Sequence, residues 1–233
     1  MHIYRHNIFF LIAILGAVIC FIGDNLLGCF MPSKSYGNPI LFPAFSYDWA
    51  NANTLRFAIG GLCGVIALLM MSCGFYAIYR IMKFKKLKYA NIFLISSFVF
   101  ISVGTLYHCV FAITAFVYNR LFHEGVSIAQ TLSEELFYTF IGVAAFAAIG
   151  FALLSVILFW STYKKQIDNS KYMVFINPLI VMLICVLFSK ILPPTNYVNR
   201  IFGWGQQSIG LFFTFLIYYM RFKSYNIMEQ SLQ

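Results

Sequence analysis

Asp24, His108, Glu134 and Glu135 sit within, or at the mouths of, long apolar runs. Ionisable groups at membrane depth are costly, so they face the interior of a helix bundle and usually have partners. A carboxylate, an imidazole and a second carboxylate at one depth could perform acid–base chemistry, shuttle a proton, or bind a polar head. In the catalytic version Asp24 and His108 form the acid–base pair, with Glu135 as the second carboxylate. Asn25, Arg56, Glu134, Tyr138, Trp204, Gln206 and Gln207 are the candidate ligand-binding residues around them, Gln206 and Gln207 orienting the polar head.

Each of these residues also has a purely structural reading. Asp24 could accept a hydrogen bond from Gln206 or pair with Arg56 and so lock helix to helix. A single histidine on an apolar helix often only satisfies a neighbour. Glu134 and Glu135 follow Ser133, where they would favour a helix N-terminus. Trp204 is expected as an interfacial anchor, and Asn177-Pro178 as a helix start with proline in the first turn.

Several chemistries are set aside. The chain carries no GxSxG, no HExxH, no phosphate loop and no DNA-reading motif. No metal site and no cofactor is expected: His108 is the only histidine inside a span, while His2 and His6 precede the first span and His123 lies in an outer loop. Cys20, Cys63, Cys73, Cys109 and Cys185 lie inside apolar runs, Cys29 lies near a helix end, and no CxxC spacing occurs. They read as small apolar packing residues. The formal charge of +9 does not point to nucleic acid, because the basic residues sit between apolar spans.

The elements that must position these groups are transmembrane helices. The chain is 61% hydrophobic and 10% charged over 233 residues, with a mean hydropathy of +0.82. A soluble domain carries roughly 25% charged residues. Six apolar segments stand out, at about 7–30, 55–81, 89–118, 135–161, 172–192 and 202–221, each long enough for a ~30 Å hydrocarbon core. Barrel strands would be half that length. The fold class is therefore all-α, a polytopic bundle of about six helices forming a single membrane domain over 1–233, with the lipid bilayer as its first partner.

Orientation follows from Lys and Arg. Arg5, Arg80, Lys83, Lys85, Lys86, Lys88, Lys164, Lys165, Lys171, Arg221 and Lys223 fall on one side of six spans. Lys34, Arg56, Arg120, Lys190 and Arg200 fall on the other, a split of 11 to 5. Both termini are thus expected in the cytoplasm, N-in and C-in, with the plasma membrane as location. The first apolar run is long for a signal peptide, and Asp24 interrupts the lipoprotein-like Leu26-Leu27-Gly28-Cys29, so an uncleaved first helix is expected. The outer connection 31–54 holds Pro32, Pro39 and Pro43 with Tyr36, Phe42, Phe45, Tyr47 and Trp49, which reads as an interfacial segment able to cap the bundle.

On that topology Asp24 lies 17 residues beyond Asn7 and His108 17 residues beyond Asn91, each roughly 26 Å up from the inner side. Helical phase groups Gly16, Cys20, Gly23, Asp24 and Gly28 on one stripe. Further stripes are Ser97, Gly104, His108 and Ala112; Glu135, Tyr138, Gly142 and Ala145; and Gly203, Gln206, Gly210 and Thr214. Small residues mark faces where helices approach, so the polar groups should point at neighbours. Gly60, Gly64 and Ala67 read as packing alone. No internal repeat is visible, since the fourth span does not echo Gly23-Asp24-Asn25 as an inverted transporter repeat would.

Gly23-Asp24-Asn25-Leu26-Leu27-Gly28, Tyr107-His108 and Gly203-Trp204-Gly205 together resemble an uncharacterised family of small six-helix bacterial membrane proteins. The resemblance covers nearly the whole chain and implies the same bundle, without a transferable activity. Three functions stand open. One is a pocket at the outer-leaflet level that binds, and in an enzymatic form modifies, a lipid or amphipathic small molecule. The second is a small proton- or cation-coupled transporter using Asp24 and Glu135. The third is a noncatalytic accessory or immunity subunit whose polar groups hold helices together.

Overall fold

Helix α1 (Tyr4–Gly28) is apolar all round. Ile8, Leu11, Leu15, Val18 and Ile22 recur every three or four residues on its exposed side, while Phe10, Ala13, Ala17 and Leu27 are buried on the other. The same double-sided pattern marks α3 (Thr54–Phe84) and α4 (Ala90–His123), where Leu55, Ile59, Leu62, Ile66 and Leu69 form the outer stripe of α3. A helix that buries one apolar face and exposes another is stable only where the surroundings are themselves apolar. With α6 (Ile141–Tyr163), these make four helices among the described residues that are long and apolar enough to cross a membrane. The protein is an all-helical membrane bundle.

This computed structural model describes residues 4–29, 47–167, 171–192 and 197–231, with side chains at 7–29, 49–167, 172–192 and 198–222. The remaining elements are the short α2 (Tyr47–Ala50), α5 (Ala129–Thr139), α7 (Pro178–Ile191) and α8 (Tyr197–Ser231). The principal packing runs α1 on α3, α3 on α4, α4 on α6, and α7 on α8, with α8 returning to α1. The six long elements so form a ring, open where α6 meets α7 over only a short stretch. Most of the expected outer segment, with Pro32, Tyr36, Pro39, Phe42, Pro43 and Phe45, lies outside the described residues.

Close backbone approach explains several glycines. A Cβ on Gly23 would stand 2.9 Å from the Gly60 carbonyl oxygen across α1 and α3. One on Gly150 would stand 2.8 Å from the Phe100 nitrogen, and one on Gly210 2.5 Å from the Pro178 carbonyl oxygen. Where the solvent is as apolar as the side chains, such van der Waals contact between helices replaces the hydrophobic drive.

Two apolar clusters fill the ring. At the end that carries Arg80–Lys88 and Lys164–Lys165, Phe75 meets Phe93, Phe100 and Phe215 edge-on, with centroids 6.2, 6.0 and 5.1 Å apart. Phe10, Phe151, Leu154 and Tyr218 belong to the same cluster. At the opposite end Leu27, Phe57, Phe111, Tyr118 and Phe137 surround Trp49. Trp49 is only 2% exposed, edge-on to Phe57 at 5.4 Å and Phe111 at 5.5 Å. It is a core residue, where the sequence suggested an interfacial aromatic. Asn119 explains the difference: its Nδ2 donates to the carbonyls of Trp49 (3.0 Å), Ala50 (2.6 Å) and Ala52 (2.8 Å), drawing α2 into the bundle.

Three spans differ clearly from their expected bounds, and the sixth, expected at 202–221, is α8, which runs over Tyr197–Ser231. The fourth, expected at 135–161, is two helices separated at Phe140, whose φ of −106° and ψ of 7° leave the helical region. The apolar stretch through the break hides it from the sequence. The fifth, expected at 172–192, is a 3-10 turn (Lys171–Val174) followed by α7, 14 residues long. Proline disfavours helix in the residue before it, so the helix starts at Pro178. The Asn177 side chain accepts from the Leu179 N–H (3.0 Å) and donates to the Ser155 carbonyl (2.8 Å), capping α7 and tying it to α6.

Three helices end in the same hydrogen-bond pattern. After α4, Val126 N–H reaches the Leu121 carbonyl and Gly125 N–H that of Phe122, with Gly125 at φ +70°. This is the Schellman stop, which glycine normally serves because it adopts the left-handed region freely. The ends of α3 and α6 repeat it with Lys86 and Lys165 at φ 54° instead.

Candidate functional site

Cys20 and Asp24 stand one turn apart on α1 and so share a face. The thiol lies 3.8 Å from Asp24 Oδ2, and the Ser208 hydroxyl from α8 donates to the same oxygen. Across the bundle, His108 of α4 brings Nε2 to 3.7 Å from Asp24 Oδ1, with only 14% and 15% of the two side chains exposed. At that distance the two groups would form an ion pair only with the imidazole protonated, and the contact is too long for a hydrogen bond.

Gly64 makes room for the imidazole. A Cβ there would fall 2.2 Å from His108 Nδ1 and 2.4 Å from Cγ, so Gly64 positions a functional side chain and is more than a packing residue. Gly28 plays the matching part for Trp204, whose indole carbons would lie 1.8–2.2 Å from its Cβ. Trp204 is thereby turned inward against Phe111, centroids 5.7 Å apart.

These groups border a cavity of about 240 Å³ between the two apolar clusters. Asp24, His108, Tyr107, Gln206, Gln207 and Ser208 are the polar members of its lining. Leu68, Met71, Phe100, Leu211 and the alanines of α6 are among the apolar ones. Gln206 Oε1 is buried and has no hydrogen-bond partner, an unusual state for a buried acceptor. Ala148 lines the cavity yet is exposed, so the opening is on the α6 side.

Of the residues singled out in the sequence, Asp24, His108, Trp204, Gln206 and Gln207 meet at this cavity. The others go elsewhere. Arg56 turns to the end of α1, donating from Nε to the Leu26 carbonyl (2.5 Å) and from Nη2 to those of Asn25 (2.9 Å) and Cys29 (2.8 Å). It caps the negative end of that helix instead of meeting Asp24. Asn25 donates to the Phe21 carbonyl of its own helix (2.8 Å).

Glu134, Glu135 and Tyr138 ride on α5. Glu134 accepts from Gln130 Nε2 at 2.9 Å, and Glu135 and Tyr138 are exposed. The break at Phe140 resets the helical phase, so the inward face of α6 runs through Ala144, Ala147 and Ala148. The expected stripe of Glu135, Tyr138, Gly142 and Ala145 does not reach the cavity, and a Cβ on Gly142 would meet nothing within 4 Å.

A family of unknown function matches residues 1–225. The chain belongs to DUF6796. No curated protein and no solved structure matches it. Membership of DUF6796 brings no reaction with it, so the chemistry rests on the cavity. Three polar members of that cavity lining, Cys20, Tyr107 and Ser208, are not among the site residues read from the sequence. Cys20 was counted among apolar packing residues, although its four-residue spacing from Asp24 was the available signal. Its Sγ, an Asp24 oxygen and a His108 nitrogen lie within 4.8 Å of one another.

Proposed function

We propose that the chain is a multi-pass protein of a bacterial plasma membrane, with both termini inside, and that its cavity binds the polar head of a lipid or other amphipathic molecule from the outer leaflet. The whole chain acts as one membrane domain. The observation that carries this reading is the mixed lining of the cavity: a carboxylate, an imidazole, amides and hydroxyls together with leucine, methionine, phenylalanine and alanine.

Size narrows the ligand. Pockets for drug-sized molecules run to roughly 300–1,000 Å³, so about 240 Å³ takes a head and a few methylenes. The tail must leave through the α6 side, where Ala148 is exposed and lipid would lie alongside. Below the cavity, Phe75, Phe100 and Phe215 close the ring, which counts against a path for a transported ion. His108 beside Asp24 supports a catalytic form, in which the imidazole moves a proton at the bound head.

The test is a thermal melt of the purified protein in detergent, with and without phosphatidylglycerol, phosphatidylethanolamine, cardiolipin and a lysophospholipid. A ligand at 100 times its Kd adds about 2.7 kcal/mol, a shift of several degrees. Ala144→Phe, which puts a ring in place of a lining alanine, should remove the shift. If none of the amphiphiles raises the melting temperature, or if Ala144→Phe leaves the shift intact, the proposal fails.

A further inference from the structure

We propose that Cys20, Asp24 and His108 form a three-ligand site for a borderline divalent cation, Zn²⁺ foremost, with its fourth position open to the cavity. The site uses the same cavity as the lipid reading but does not depend on it, since metal binding is measured without any lipid.

Three observations support it. The first is geometric. Zn²⁺ bonds of about 2.3 Å to sulfur and 2.0–2.2 Å to nitrogen and oxygen put tetrahedral ligand atoms roughly 3.4–3.6 Å apart. Cys20 Sγ lies 3.8 Å from Asp24 Oδ2, and His108 Nε2 lies 3.7 Å from the other carboxylate oxygen, Oδ1. With one ligand atom from each residue the three lie within 4.8 Å of one another, so side-chain rotation must draw the widest pair in by up to about 1.2 Å to reach tetrahedral spacing. Two ligands one turn apart on one helix also share a face, the arrangement that lets a helix chelate a metal.

The second is charge. A thiolate and a carboxylate with a neutral imidazole carry two negative charges, which one divalent cation cancels. Binding releases the thiol proton to bulk water and leaves a centre of zero net charge. At membrane depth that removes the cost of an uncompensated Asp24 carboxylate.

The third is the surroundings. Ser208 donates to Asp24, an outer-shell bond that would hold a ligating carboxylate in place. Gly64 fixes the imidazole from behind. The fourth position faces a space with Gln206, Gln207 and Tyr107 on its walls. Sites with three protein ligands and one open position are the catalytic kind, and Cys, His and Asp together suit zinc better than magnesium or calcium.

The experiment uses the full chain in detergent with His2 and His6 changed to alanine, so that the N-terminal segment cannot hold metal by itself. After chelator treatment and dialysis against Zn²⁺, elemental analysis should find one equivalent per chain. Co²⁺ should give visible bands of tetrahedral intensity and a near-ultraviolet thiolate-to-cobalt band. Cys20→Ser should abolish the thiolate band, and Cys20→Ser, Asp24→Asn and His108→Ala should each weaken binding by about 100-fold or more. Ser208→Ala should weaken it about 10–100-fold. A metal-free melt of each variant separates lost binding from lost folding. The proposal is overturned if the chain retains no metal, if the Co²⁺ spectrum lacks a thiolate band, or if that band survives Cys20→Ser.

Discussion

Gly64→Ala is a one-carbon change whose effect can be worked out from the site. The added Cβ would lie 2.2 Å from His108 Nδ1, 2.4 Å from Cγ and 2.8 Å from Cε1, inside the ring's van der Waals envelope on three atoms. The imidazole has two torsions and must swing away, which also takes Nε2 from Asp24. Overpacking of this kind costs about 1–3 kcal/mol, set against a gain of up to ~1 kcal/mol because alanine favours helix over glycine. The expected net loss is therefore about 0–2 kcal/mol, measured by equilibrium unfolding in mixed detergent micelles. In a His108→Ala background the ring is gone, so the same substitution should become neutral or stabilising. The double-mutant cycle should then show a coupling of about 1–3 kcal/mol. Gly142→Ala, with open space around its Cβ, serves as control and should be neutral or slightly stabilising. Additive effects of Gly64→Ala and His108→Ala would refute the claim that Gly64 seats the imidazole.

Other substitutions probe the frame around the site. Arg56→Lys should destabilise by about 1.5–3 kcal/mol, because an ammonium cannot span the carbonyls of Asn25, Leu26 and Cys29 as the planar guanidinium does; an unfolding midpoint equal to wild type would contradict the cap. Asn119→Ala strips the donor from three carbonyls around α2 and should cost about 2–4 kcal/mol, with Trp49 fluorescence shifting to the red as the indole becomes wetter. Lys86→Gly and Lys165→Gly remove a left-handed lysine each and should stabilise by about 1 kcal/mol apiece, read as a rise in unfolding midpoint. A fall at either position would show that the lysine side chain contributes more than its backbone strain costs.

The bundle was legible because twenty apolar residues in a row have few alternatives in a lipid solvent. The first three spans came within a few residues of α1, α3 and α4 at most ends, and the C-terminal ends of α3 and α4 run further because charge tolerates the interface. The break at Phe140 was not legible. No proline marks it, and Leu136, Phe137 and Ile141 continue the apolar run through it, so the carboxylates of α5 were phased with the wrong face. Asp24, His108 and Gln206 were readable as inward-facing from stripe and depth. Cys20 falls on the same stripe as Asp24, but its part in the site was not legible, since a thiol in an apolar helix packs like an alanine until a partner is known. Gly64 was misjudged for the same reason: a missing side chain gains meaning only from the one that occupies its space.

Helix α7 carries a consequence for the membrane itself. Its 14 residues measure about 21 Å at 1.5 Å per residue, against a hydrocarbon thickness of about 30 Å. If α7 crosses the bilayer, as the proposed six-span topology requires, the adjacent leaflets would thin to meet it, a hydrophobic mismatch that costs fractions of a kcal/mol per Å. Because α7 stands beside α6, at the loosely closed part of the ring, the bilayer would be thinnest next to the cavity's opening. On the function proposed above, a lipid there would start with its head already sunk toward the level of Asp24 and His108, which would shorten the climb out of its own leaflet.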